Sequence, residues 1–173
     1  ALGDGGAIVT ADRGLAERLK RLRNGGQTDR DHHTEAGINS RLDEMQAAIL
    51  RARLPFLAGW TARRRALAAQ YRAALASTNV SLPIEFDAGH VYHLFVVRSA
   101  ERDRLQSHLA SCGVETLIHY PVPIPQQPAL APERPDDCPI ASRVCRELLS
   151  LPLHARMGDE EVHAVARAVR AFV

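Results

Sequence analysis

Between Ser40 and about Ser77 the chain reads as helix almost without a break. Leu42, Met45, Gln46, Ile49, Leu50 and Leu54 recur at the spacing of one helical face. Leu57, Trp60, Leu67, Tyr71 and Leu75 carry the apolar positions onward. Pro55 has no N–H to donate, so the helix must kink or restart there. A bent helix of this length has to link a unit on its amino-terminal side to one on its carboxy-terminal side.

The amino-terminal segment is short. Gly3-Asp4-Gly5-Gly6 is a turn cluster, and the apolar run Ala7-Ile8-Val9-Thr10 after it reads as a strand. Asp12 is placed to cap a helix whose apolar positions are Leu15, Ala16, Leu19 and Leu22. Asn24-Gly25-Gly26 stops that helix, and residues 27–38 form a polar loop. Next comes Gly37-Ile38-Asn39-Ser40-Arg41-Leu42-Asp43-Glu44, the entry to the long helix. Asn39 or Ser40 can serve as its N-cap, because a short side-chain oxygen accepts from a free helical N–H. Asp43 and Glu44 then fall in the first turn, where negative charge suits the helix dipole. Arg41 offers a planar fork for phosphate or carboxylate. The plainer alternative is a well-capped helix start with no ligand.

After Asn79 the pattern changes. Val80-Ser81-Leu82-Pro83 reads as a short strand or strand end, and Val91 to Arg98 as the clearest strand of the chain. Arg102 to Cys112 reads as a helix closed by Gly113, and Val114 to Tyr120 as another strand. Pro121 to Pro135 is too rich in proline for regular structure. Pro139 to Leu149 is expected to be helical, and Leu151-Pro152-Leu153 a short edge strand or turn. Asp159 is expected to cap a last helix ending at Phe172. Alternating strand and helix indicates a small α/β or α+β domain.

The 173 residues suffice for one sizeable core or two small ones. A net charge of +2 gives no strong pull toward nucleic acid or an anionic membrane. No apolar run approaches the roughly 18 residues of a membrane span, and no signal peptide is evident. Cys112, Cys138 and Cys145 follow no metal-like spacing and fit a reducing cytoplasm. Cys138 and Cys145 would share one helix face and read as core packing. The chain starts in Ala-Leu-Gly-Asp-Gly-Gly without an initiator Met, which suggests a piece of a longer protein.

Residue types alone close no catalytic constellation. His32-His33 reads as a solvated pair in a polar loop, with no metal site. Arg63-Arg64-Arg65 reads as a solvated helix face, since consecutive residues spread around a helix. His119-Tyr120 ends a strand just before a loop, where functional side chains gather, although a structural role is as compatible with that position. Lys20 is the single lysine against 21 arginines.

Five segments in order resemble the carboxy-terminal half of the DegT/DnrJ/EryC1/StrS family of sugar aminotransferases. They are Gly3 to Thr10, Arg21-Leu22-Arg23-Asn24-Gly25-Gly26-Gln27, Gly37 to Ile49, His90 to Arg98, and Ile118-His119-Tyr120-Pro121-Val122-Pro123. Ser150-Leu151-Pro152-Leu153 before an acidic helix start resembles the family's last segment. The family often has His after the Arg-Asn pair, where this chain has Gly25.

The resemblance implies an α/β fold, the C-terminal part of a fold-type-I transferase dependent on pyridoxal 5'-phosphate (PLP). On that reading residues 1–54 are the end of the large PLP-binding domain, 55–79 the connecting helix and 80–173 the small domain. Within that division, 80–173 is expected to be the most foldable part. The implied reaction moves an amino group from an amino acid, expected to be glutamate, to a nucleotide-linked keto sugar. The implied assembly is a cytoplasmic homodimer with shared active sites. Asn39 matches an asparagine that reaches the PLP phosphate of the partner subunit. Arg41, His119 and Tyr120 match substrate-proximal positions, and Gly5 and Gly6 a turn beside the Schiff-base lysine. That lysine is expected upstream of residue 1, so no catalytic residue is assigned and the fragment alone is expected to be inactive. Lys20 is expected at the surface. A PLP-dependent sugar dehydratase and a non-catalytic regulatory homologue are the alternatives on the same scaffold.

Overall fold

The computed structural model describes residues 5–130 and 138–172. Gly3, Asp4 and the later part of the proline-rich loop thus lie outside the described residues. The chain forms two compact units, Ala1–Leu57 and Ala58–Val173.

The first unit is built on helix α1 (Arg13–Leu22) and helix α2 (Glu44–Arg53). Asp12 caps α1 as its sequence predicts, with Oδ1 accepting from the Leu15 N–H at 3.1 Å. Gly25 and Gly26 come next at φ 71° and 77°, a left-handed backbone that ends the helix. The chain then returns to the end of α1. Gly25 N–H donates to Ile38 O at 2.9 Å, Ile38 N–H to Leu22 O at 2.8 Å, and Ser40 N–H to Arg23 O at 2.8 Å. Neither helix buries a residue fully, so backbone bonds and ion pairs hold this unit more than a core does.

Two expectations fail here. Ala7 to Thr10 is not a strand, and Ile8 and Val9 are 71% and 94% exposed. A strand needs a partner for its N–H and C=O groups, and none of the described residues pairs with it. The second concerns the long helix, whose N-cap position is taken by Asp43, with no side-chain cap bond, rather than by Asn39 or Ser40. Asn39 is bridged antiparallel to Asn24, so the backbone at 39–40 is committed to extended pairing before a helix can start. Pro55 does break the helix. A single 3-10 turn, Leu54–Phe56, separates α2 from α3 (Leu57–Leu75).

In the second unit, Leu67, Ala68, Tyr71 and Leu75 on α3 are buried in the core. A small sheet lies among the helices. Strand β1 (Phe95–Arg98) pairs antiparallel with β2 (Leu148–Leu151), Phe95 opposite Leu151 and Arg98 opposite Leu148. Single bridges extend it on both sides, Ser81 to Arg98 and Leu117 to Ser150. Helices α4 (Arg102–Ser111), α5 (Pro139–Glu147) and α6 (Asp159–Arg170) complete the unit. The Tyr71 ring stacks on Phe95 at 4.9 Å, while Leu105, Leu109, Val162, Val165 and Val169 fill the space around them. Each such side chain contributes about 1.5–3 kcal/mol by leaving water.

The second half departs from its sequence reading in four places. Leu148 and Leu149 belong to β2, not to the preceding helix. All four β2 residues are buried, and an apolar run buried on both faces lacks the alternation that marks a half-exposed strand. The segment 114–120 contributes only the Leu117 bridge. The strand expected from Val91 starts at Phe95, because Tyr92 sits at φ 48°, outside extended backbone. Helix α6 is capped by Gly158, whose N–H donates to the Glu161 carboxylate at 2.7 Å, leaving Asp159 as the first helical residue.

The solvated reading of Arg63-Arg64-Arg65 is also overturned. Arg63 Nη2 donates to Met157 O at 2.6 Å and Nη1 pairs with Asp159 at 2.9 Å. Arg64 Nη1 reaches the carbonyls of Tyr92, His93 and Leu153 at 3.1, 2.9 and 3.2 Å. Arg65 donates to Ala88 O and His90 O, and pairs with Glu85. Two turns further on, Arg72 donates to Pro83 O at 2.6 Å. The irregular segments 83–93 and 153–157 leave carbonyls without ladder partners, and guanidinium groups from α3 satisfy them.

Candidate functional site

The predicted site residues fall in two pairs, one per unit. Arg41 Nε donates to Asn39 Oδ1 at 3.1 Å, and both side chains are exposed. With its oxygen held by Arg41, Asn39 presents its Nδ2 hydrogens as donors. An amide and a guanidinium side by side form a donor-only patch suited to an anionic oxygen.

The loop behind this pair is tightly fixed. A Cβ on Gly37 would lie 2.3 Å from Gly26 N and 2.6 Å from Leu22 O, so only glycine fits where the chain returns beside α1. Glu35 fastens the same return. Its two carboxylate oxygens accept from Arg18 Nε and Arg21 Nε, each at 3.0 Å. The hydrogen bond from Arg18, seconded by Arg21, holds the Glu35 carboxyl below the usual glutamate range. Asn24 Nδ2 donates to Gln27 Oε1 at 2.8 Å, which steadies the other side of the bridge to Asn39.

In the second unit, His119 and Tyr120 are adjacent with their rings edge to face, centroids 5.5 Å apart and planes at 87°. His119 is half-buried and Tyr120 is 71% exposed. His119 Nδ1 lies 2.9 Å from Ser150 Oγ. Ser150 is 5% exposed on β2, and its backbone exchanges bonds with Leu117 at 2.7 and 3.3 Å. Sequence reasoning passed over Ser150. The one available signal was a hydroxyl inside the apolar run Leu148 to Leu153.

The remaining candidates carry no chemistry. Lys20 is exposed on α1, its ammonium 2.8 Å from Glu17. His32 pairs with Asp29 at 2.7 Å, and His33 Nδ1 bonds Gly25 O at 2.8 Å, so His33 braces the glycine turn and is not simply solvated. Among the described residues no group of three His, Cys, Asp or Glu could hold a metal, and no helix is long and apolar enough to cross a membrane. A Cβ on Gly6 would meet nothing within 4 Å.

Comparison with known proteins places this arrangement in context. The model of the DegT/DnrJ/EryC1/StrS aminotransferase family matches residues 1–170. The chain is 48% identical over 174 residues to a dTDP-3-amino-3,4,6-trideoxy-alpha-D-glucose transaminase of Streptomyces venezuelae, covering 98% of this chain and 46% of that protein. It is 40% identical to a UDP-N-acetyl-3-dehydro-alpha-D-glucosamine 3-aminotransferase of Acidithiobacillus ferrooxidans, with 98% and 46% covered. The structure superposes on the crystal structure of S. venezuelae DesV with a TM-score of 0.89 at 46% identity, covering 94% of this chain and 45% of that one. The chain thus spans about half the length of the curated relatives it matches.

Proposed function

From the premise that the chain belongs to the DegT/DnrJ/EryC1/StrS aminotransferase family, we propose that it serves in a PLP-dependent aminotransferase acting on a nucleotide-linked keto sugar. Glutamate is the proposed amino donor, and a cytoplasmic homodimer with shared sites the proposed assembly. The similarity to transaminases of both dTDP- and UDP-linked sugars supports a nucleotide sugar as substrate. The dehydratase and regulatory alternatives are not favoured by these relatives.

The Asn39–Arg41 donor patch is the observation that carries the cofactor reading. Its chemistry fits a phosphate, and the rigid loop behind it holds the donors in place. Lys20 does not fit a Schiff-base role, being exposed and paired with Glu17. These 173 residues therefore supply phosphate anchoring but no Schiff-base lysine of their own. When bound, PLP supplies an electron sink for amino-group transfer.

The chain's own residues bind and orient. In the proposed dimer, Asn39 donates its amide hydrogens to a phosphate oxygen of the cofactor in the partner subunit. Arg41 holds Asn39 in that orientation and adds positive charge for cofactor or substrate. His119 and Tyr120 offer hydrogen bonds to oxygens of the substrate.

The test is cofactor retention in the active enzyme, followed by PLP absorbance through dialysis. Asn39→Ala should weaken PLP binding by about tenfold or more, since a hydrogen bond to a charged group is worth about 1.5–3 kcal/mol. Unchanged retention in Asn39→Ala would remove the phosphate contact from the proposal.

A further inference from the structure

We propose that Ser150 is a positioning residue that fixes the tautomer of the His119 imidazole, with its proton on Nε2, making it a preset hydrogen-bond donor for a ligand oxygen. Ser150 Oγ is the only partner of His119 Nδ1 among the described residues. Ser150 is 5% exposed, and its hydroxyl contacts no other hydrogen-bonding group among them. A hydroxyl carries one donor and can accept twice. If Nδ1–H donated to Oγ, the buried Ser150 O–H would be left with no acceptor. A buried donor left unpaired is costly, whereas a spare acceptor lone pair costs far less. So Ser150 O–H donates, Nδ1 accepts, and the imidazole proton resides on Nε2.

Ser150 is itself held on both sides. It lies opposite Val96 in the sheet and exchanges backbone bonds with Leu117, two residues before His119. One strand therefore sets both the start of the His119 segment and the orientation of its ring. Nε2, on the far side of the ring from Ser150, has no partner among the described residues. The exposed Tyr120 ring meets the His119 ring edge to face, and its hydroxyl is also unpartnered among them. A ring N–H and a phenolic O–H on adjacent residues suit an oxygen-rich ligand, a sugar hydroxyl or a phosphate oxygen. That ligand class rests on the proposed function; the tautomer does not.

The experiment is nitrogen-15 NMR of the His119 ring in the whole chain. The wild type should show the Nε2–H tautomer alone, with the Nδ1 resonance displaced as for a hydrogen-bonded acceptor. Ser150→Ala should return His119 toward the mixed tautomers and Nδ1 shift of a free imidazole. Ser150→Thr, which keeps the hydroxyl, should restore the wild-type signature. An Nδ1–H tautomer in the wild type, or no change in a folded Ser150→Ala, overturns the positioning role. Inorganic pyrophosphate is the probe for the ligand class. It should shift the His119 Nε2 and Tyr120 signals in the wild type and several-fold less in Ser150→Ala, and an absent response overturns that class. Unchanged PLP retention in Asn39→Ala of the active enzyme, with the His119 tautomer signature kept, would remove the phosphate contact of the proposed function while leaving the Ser150 role standing.

Discussion

Gly26 and Glu35 approach so closely that a Cβ on Gly26 would stand 1.7 Å from the Glu35 carbonyl oxygen. No side chain can occupy that space without moving the backbone, and φ 77° at Gly26 adds a second barrier to any other residue. This contact closes the loop that carries Asn39.

Gly26→Ala should therefore destabilise the first unit by more than about 1 kcal/mol, the level at which glycine replacement becomes harmful when the backbone is incompatible. Amide exchange at Ile38 and Ser40, whose N–H groups bond Leu22 O and Arg23 O, is the local readout. Unchanged protection at both amides would show that the loop does not depend on this approach.

Arg64→Lys should lose about 2 kcal/mol of stability, measured by chemical denaturation. Its Nη1 serves three carbonyls, Tyr92 and His93 in one segment and Leu153 in another, and a lysine side chain, one atom shorter, cannot bring its ammonium to the place of Nη1. A loss under a few tenths of a kcal/mol would restore the solvated-face reading for this residue.

Tyr71→Phe should cost about 1 kcal/mol. Its hydroxyl donates to Pro152 O at 2.9 Å, and the ring is fully buried against Phe95. Burial, with the Glu161 charge adding to it, pushes the phenol pKa well up, so the ring stays neutral throughout the accessible range. Removing the hydroxyl leaves the packing but orphans the carbonyl. Equal melting temperatures for the two proteins would contradict this.

The Glu35 loop should weaken in acid. Its carboxyl is lowered in the folded state by Arg18 and then Arg21. A depressed carboxylate contributes stability above its unfolded value of about 4.3, and that contribution is lost as pH falls through the lower folded value. Amide exchange at Ser40, compared between Glu35→Gln and the wild type across that window, should show the acid dependence only in the wild type. The two should converge once Glu35 is fully protonated.

Helices announced themselves by local means. Asp12 ahead of Leu15, Leu19 and Leu22, and Pro55 inside a helical stripe, each act through their own backbone, so α1 and the break before α3 were readable from neighbours in sequence. The same local logic misplaced the start of α2. Nothing at Asn39 itself says that Asn24 will pair with it. It also assigned Leu148 and Leu149 to a helix, because burial on both faces of β2 is a property of the sheet.

The site divided along the same line. Asn39, Arg41, His119 and Tyr120 were singled out by residue type, order of motifs and position near loops. That Arg41 grips Asn39, and that Ser150 grips His119 from 31 residues away, was not visible in either segment. By itself the sequence determined the start of α1, the break at Pro55 and the family, because these rest on local backbone preference and on an ordered set of motifs. Only the tertiary structure decided which donors meet which acceptors. The arginines of α3 became internal clamps because distant segments left carbonyls to satisfy. A buried hydroxyl became the partner of a histidine ring because, among the described residues, it bonds to no other acceptor.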